Sequence, residues 1–134
     1  MTPGATVVGR LRLDGPIDLR ATLLPFRHGL RDPTIRISGG EVWRATRTPE
    51  GPATVHVLLD ASPAPATTPT PATTWTVTAW GDGAEWAVAR AGRFLGADDV
   101  RAGFDPEAGT PVGRLDRRFP SMRIAASATA YEVA

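Results

Sequence analysis

Apolar residues recur at alternate positions between residues 6 and 13 (Val7, Leu11, Leu13), the period of a strand with one buried face. Gly15 and Pro16 end that run, and Asp18 is placed to cap a short helix carrying Leu19, Leu23 and Leu24 on one side until Pro25 ends or kinks it. Residues 34–38 alternate again, Gly39 and Gly40 supply a two-residue hairpin turn, and residues 41–47 run back. Such a turn sets Val42 beside Ile37 and Trp43 beside Arg36, so Trp43 lies either on the outer face as a cation–π partner or in the core. A second turn, TPEG (48–51), leads into residues 53–59, where Val55, Val57 and Leu59 face one way. Residues 74–80 alternate most cleanly, with Trp75, Val77 and Ala79 on one face.

Two longer helices follow from the 3.6-residue period. Asp82 and Glu85 have the spacing of a capping box, and Ala84, Ala87, Val88, Ala91 and Leu95 then form one stripe that Gly96 terminates. Trp86 and Phe94 of this helix are expected in the core or at its edge. Thr110 and Pro111 start a further helix with Val112, Leu115 and Phe119 on one side and Arg114, Arg117 and Arg118 elsewhere. Between the strands, residues 61–73 contain only Ala, Ser, Pro and Thr, with prolines at 63, 65, 69 and 71, and are expected to form a loop without order. The order β-α-β-β-β-β-α followed by short helices predicts an α+β fold: an antiparallel sheet of about five strands with helices on one face.

Composition narrows the chemistry. With 134 residues, 42% apolar and 22% charged, one domain closes around one core. All 15 basic residues are arginine, so no lysine Schiff base is available. A net charge of +1 gives no general pull on a polyanion, and any contact with DNA must be local. The absence of cysteine removes disulfides, thiolate metal sites and thiol nucleophiles and suits a reducing compartment. No run approaches eighteen apolar residues and the start lacks a signal-peptide pattern. The expectation is a soluble, cytoplasmic chain with no membrane partner.

Candidate catalytic groups are sparse. His28 and His56 are the only histidines, and neither has companions at metal-ligand spacing. His56 sits in the middle of a strand, out of phase with Val55 and Val57, and is expected to face outward. His28 follows Phe26 and Arg27 in a loop, as a surface residue or a functional one. Asp98 and Asp99 read as a cap and a solvated turn. The sequence GDG (81–83) is too short and too acidic to cradle phosphate. The tryptophans at 43, 75, 80 and 86 read as core residues rather than as a base-stacking platform. Arg114, Arg117 and Arg118, interrupted by Asp116, read as solvated surface or as phosphate contacts. No metal or cofactor is expected, and no acid, base and nucleophile converge.

The segments LPFRHG (24–29), RDPTIR (31–36), VWRATRTPEGPAT (42–54), AWGDGAEW (79–86) and DRRFP (116–120) together resemble the N-terminal region of actinobacterial 3-methyladenine DNA glycosylase II-like proteins of the helix-hairpin-helix superfamily. The resemblance covers nearly all of the chain except the Pro/Thr-rich insertion. It implies a small α+β domain like half of TATA-binding protein, spanning residues 1–108. That domain packs against an all-α catalytic domain, a hydrolase of base-excision DNA repair that flips an alkylated base and cleaves its N-glycosidic bond. In the family the catalytic aspartate and the helix-hairpin-helix lie beyond the position of Ala134, so residues 109–134 form a helical segment leading into a catalytic domain absent from this chain. Thr129 and Glu132, spaced as a capping box, agree with a helix starting there.

The resemblance also implies that Phe26 stacks on a flipped purine and that His28 touches base or phosphate. A buried Phe26 and a surface His28 are the alternative. Double-stranded DNA with alkylated bases is the implied partner, reached through the missing domain, with weak or no DNA binding by this chain alone and no catalysis. The chain is then a fragment or a truncated paralogue of such a protein. A stand-alone binding or dimerisation module reusing the fold is the second reading.

Overall fold

The structure, a computed structural model, describes residues 4–60 and 72–126. It is an α+β fold: five antiparallel strands, β1 (Thr6–Asp14), β2 (Ile35–Ser38), β3 (Glu41–Thr48), β4 (Gly51–Leu59) and β5 (Ala72–Trp80), with helices α1 (Leu19–Leu23), α2 (Ala84–Phe94) and α3 (Pro111–Arg118). The strand order is β1-β5-β4-β3-β2. β2 to β5 form a meander of neighbours, and β1 closes the sheet from the far end of the sequence by pairing with β5.

The hairpin turn at Gly39 and Gly40 fixes the predicted register, with Ile37 opposite Val42 and Arg36 opposite Trp43. At the next turn Thr48 Oγ1 donates to the Gly51 carbonyl at 2.8 Å and accepts from the Glu50 N–H at 3.1 Å. These bonds satisfy a hydroxyl that is buried along with its residue.

Because strand side chains alternate, one parity of the sheet becomes the core. Leu13, Val42, Val55, Val57, Trp75 and Val77 are buried on that face, and Ala84, Ala87 and Ala91 of α2 lie against them. Small helix residues and Gly9 allow the close approach: a Cβ on Gly9 would stand 2.6 Å from Val88 Cγ1. Leu19 and Leu23 of α1 are buried as expected, whereas Leu24 is exposed. Among the described residues no helix is long and apolar enough to cross a membrane.

Three expectations need correction. The capping box at Asp82 does not form; Gly83 is the N-cap of α2 and no side chain caps it. The reason is packing, since the turn lies on the β3–β4 hairpin with the Gly83 N–H donating to the Pro52 carbonyl at 3.2 Å, and a Cβ at Gly83 would collide with Thr48 Oγ1 and stand 2.5 Å from the Gly51 carbonyl oxygen. β5 begins at Ala72, so the last two residues of the predicted loop 61–73 are strand, recruited by pairing of Leu13 with Thr73 and Asp14 with Ala72. The rest of that loop, and the capping box at Thr129 and Glu132, lie outside the described residues. α3 is capped by Thr110 as predicted; Val112, Leu115 and Phe119 are exposed, and among the described residues α3 packs closely against no strand or other helix. Finally, the tryptophans are not all core. Only Trp75 is buried; Trp43 and Trp80 belong to the opposite sheet face, and Trp86 is half-buried.

Residues 121–126 tie the segment after α3 back onto the sheet domain. The Asp18 N–H donates to the Ser121 carbonyl at 2.8 Å, the Ala126 N–H to the Arg93 carbonyl at 3.0 Å, and the Arg123 N–H to Thr22 Oγ1 at 3.1 Å. Asp99 joins in, its carboxylate accepting from the Ile124 N–H at 2.9 Å, while Asp98 accepts from Arg93 Nε at 2.8 Å. The two aspartates therefore act as structural anchors rather than as a paired acid and base.

Candidate functional site

Asp18 caps α1, its carboxylate accepting from the Ala21 N–H at 2.9 Å, and Pro25 sets a single 3-10 turn at Leu24–Phe26 that ends the helix. This turn presents Phe26 to the end of α2. The Phe26 ring meets Phe94 edge-on, with centroids 5.3 Å apart and planes at 67°. The Arg44 guanidinium lies over both rings, 4.3 Å from the Phe94 centroid and 5.4 Å from that of Phe26, a cation–π arrangement at the core's rim. Arg44, Phe94, Trp86 and Ala126 line a cavity of about 30 Å³. That is enough for about one water and far below the roughly 300 Å³ of a small ligand pocket. Phe26 is thus half-buried, packed against the core.

His28 is exposed. Its backbone N–H donates to Asp32 Oδ2 at 2.8 Å, and Asp32 Oδ1 accepts from the Thr34 N–H at 2.8 Å and the Thr34 hydroxyl at 2.6 Å. These bonds, led by the Thr34 hydroxyl, favour the ionised carboxylate and hold Asp32 at about 2, below its ordinary 3.8. The loop carrying His28 is therefore ordered by its own carboxylate.

The three arginines of α3 lie apart from these contacts and are exposed. Arg114 Nη1 donates to the Gly109 carbonyl at 2.9 Å and Arg117 Nη2 to the Ala108 carbonyl, so both side chains fold back on the loop that leads into the helix. Arg118 leans over Phe119. Asp116, which interrupts them, is paired with Arg101. Arg101 also borders a cleft of about 500 Å³, walled by Phe104, Leu115, Phe119 and Met122.

The outer face of the sheet carries a constellation of rings that the sequence reading did not bring together. Trp43 stacks on His56, centroids 4.0 Å apart and planes 17° from parallel, and lies 5.7 Å from Trp80 at 8°. Trp43 and His56 are direct cross-strand partners, and Trp80 sits diagonally across β4. His56 faces outward as expected, and its Nε2 donates to Glu41 Oε2 at 2.8 Å. That hydrogen bond is the main cause holding the Glu41 carboxyl below its ordinary range. The signal for this cluster was present in the sequence: Trp43, His56 and Trp80 are all out of phase with the buried valines and alanines of their strands.

Among the described residues no group of three or more His, Asp or Glu side chains is gathered to hold a metal ion. Compared with known protein families, with curated proteins and with solved structures, the chain matches none of them.

Proposed function

We propose that this chain is the accessory N-terminal domain of a DNA-3-methyladenine glycosylase II-like base-excision-repair protein, whose base flipping and N-glycosidic bond hydrolysis belong to a further, catalytic domain. The observation that carries the reading is the position of Phe26. It is held by Phe94 and Arg44 at the rim of a closed core, beside a cavity too small for a base and lined by Ala126, after which the sequence continues. An aromatic residue so placed supplies one wall of a base pocket whose other walls come from elsewhere. The exposed apolar side of α3 agrees, since an amphipathic helix with an uncovered stripe suits packing against another domain. The identity proposed for that domain rests on the resemblance of this chain's segments to the glycosylase family; hydrolysis there needs a carboxylate to stabilise positive charge developing on the sugar.

The test is release of 3-methyladenine from methylated duplex DNA in a host lacking its own glycosylases, by the 134-residue chain and by the product of the reading frame continued past Ala134. The reading predicts background release by the chain and clear release by the longer product. Release by the chain alone, a stop codon at 135, or an inactive longer product would end it. The second reading, a stand-alone binding module, draws on a separate observation: the Trp43, His56 and Trp80 rings stacked on the outer sheet face, with Trp43 exposed.

A further inference from the structure

Six apolar side chains converge on one cleft at the surface: Val100, Phe104, Leu115, Phe119, Met122 and Ile124. All six are exposed, from 42% for Met122 to 77% for Val100, and Val112, one turn before Leu115 on α3, is exposed with them. With roughly 150 Å² to a fully exposed apolar side chain, about 600 Å² of apolar surface stands open here, the upper end of what a monomer shows. α3 itself has only 8 residues, well short of the ~12–15 at which a helix is marginal by itself. Among the described residues it packs closely against no strand or other helix. Its support is local, from the Thr110 cap and from the pairing of Asp116 with Arg101.

Charge around the cleft is balanced in sum but divided along the helix. Residues 98–123 hold five arginines and five acids, so no partner of a single sign is favoured. Three of the acids are engaged: Asp98 by Arg93, Asp99 by the Ile124 N–H and Asp116 by Arg101. Asp105 and Glu107, which form no ion pair among the described residues, precede α3, and Arg117 and Arg118 close it. All four are exposed. We infer that this surface is the interface of a two-fold dimer of the chain, with α3 antiparallel to the α3 of a second copy and Leu115 near the axis. Val112 and Phe119 lie about 4.5 and 6 Å from Leu115 along the helix, on opposite sides, so reversal about Leu115 sets Val112 of one copy against Phe119 of the other. The same reversal brings Arg117 and Arg118 to Asp105 and Glu107 of the second copy, a complementarity that the chain finds in itself. Two such surfaces cover about 1,200 Å² between them, the size at which specific interfaces begin. The inference stands apart from the accessory-domain reading. In a longer product the further domain takes the place of the second copy, and base release there tests that reading alone.

The experiment is sedimentation equilibrium of the 134-residue chain from about 5 to about 500 μM. The inference expects a reversible monomer–dimer equilibrium with a dissociation constant of about 10⁻⁵–10⁻⁶ M, the weak end for an interface of this size. Leu115→Glu, which sets two like charges at the axis, should weaken association more than about tenfold. Two charge-reversed variants test the antiparallel arrangement: Arg117→Glu with Arg118→Glu, and Asp105→Arg with Glu107→Arg. Each alone should weaken self-association about tenfold, and an equimolar mixture of the two should dimerise within about threefold of the parent, because every pair across the axis is again of opposite sign. Circular dichroism keeps misfolded variants out of the comparison, and the charge-reversed pair, altered only at exposed positions, tests the interface even if Leu115→Glu unfolds. A chain that stays monomeric to about 500 μM, leaving the surface to a different partner, would overturn the inference. So would a dimer that a folded Leu115→Glu leaves intact, or a mixture that associates no more tightly than its components.

Discussion

On the helix-covered face of the sheet Trp75 is 1% exposed, its indole N–H donating to Thr73 Oγ1 at 2.9 Å. On the other face Trp43 is 38% exposed and lies against His56 and Trp80. The same residue type in the same sheet is thus used once as filling and once as surface. What separates the two is parity, since Trp75 is in phase with Val77 and Ala79, and Trp43 is out of phase with Val42. The alanine stripe of α2 then decides which parity is covered.

The comparison is broken most severely from the inner face. Trp75→Ala removes a buried aromatic under α2 and should cost about 3–5 kcal/mol, enough to unfold a marginal domain. Denaturant midpoints read this, and a fully folded Trp75→Ala would mean the core is not where the helix sits. Gly83→Ala comes next, because its Cβ has no room between Thr48 and Gly51. Overpacking of this kind costs about 1–3 kcal/mol, the poorer N-cap preference of alanine acts in the same direction, and thermal melts should show the loss. Trp43→Ala should cost less than either, about 1 kcal/mol, the value of an exposed ring pair. A cost equal to that of Trp75→Ala would make the outer rings structural.

The smallest effect is electrostatic. Asp32 titrates at about 2 in the folded chain, below its ordinary 3.8, so its folded-state contribution is present above about pH 4 and is lost as pH falls towards 2. Carboxyl-carbon NMR should find that low midpoint. Asp32→Asn should loosen residues 28–34 without shifting the melting temperature measurably at neutral pH, and a normal midpoint for Asp32 would contradict the loop geometry.

Much of the fold was legible because local chemistry specified it. The two-glycine turn fixed the β2–β3 register, and the alternation in β4 and β5 fixed their faces. The small-residue stripe of α2 also marked its buried side. What escaped depends on contacts remote in sequence. The N-cap of α2 shifts to Gly83 because the turn packs on the β3–β4 hairpin, and no local pattern announces that neighbour. The bond from the Arg123 N–H to Thr22 Oγ1 joins residues 101 positions apart, beyond the reach of any periodicity. Alternation left the face of Trp43 open and set Trp80 out of phase with Trp75, Val77 and Ala79, but a tryptophan's bulk weighed towards the core, and the sequence offered no means of seeing which face α2 would cover. Phe26 and His28 were brought out as a pair by motif alone. The structure separates their circumstances, with Phe26 packed on Phe94 and His28 exposed above Asp32.

The difference between the two faces is tested most directly by the indole N–H signals of the tryptophans, followed by NMR while a soluble paramagnetic agent is added. The account predicts that the Trp43 signal broadens progressively and that the Trp75 signal stays sharp, because Trp43 is 38% exposed and Trp75 only 1%. If the Trp43 signal stays sharp, or if the Trp75 signal broadens with it, the division of the sheet into an open face and a helix-covered face is wrong.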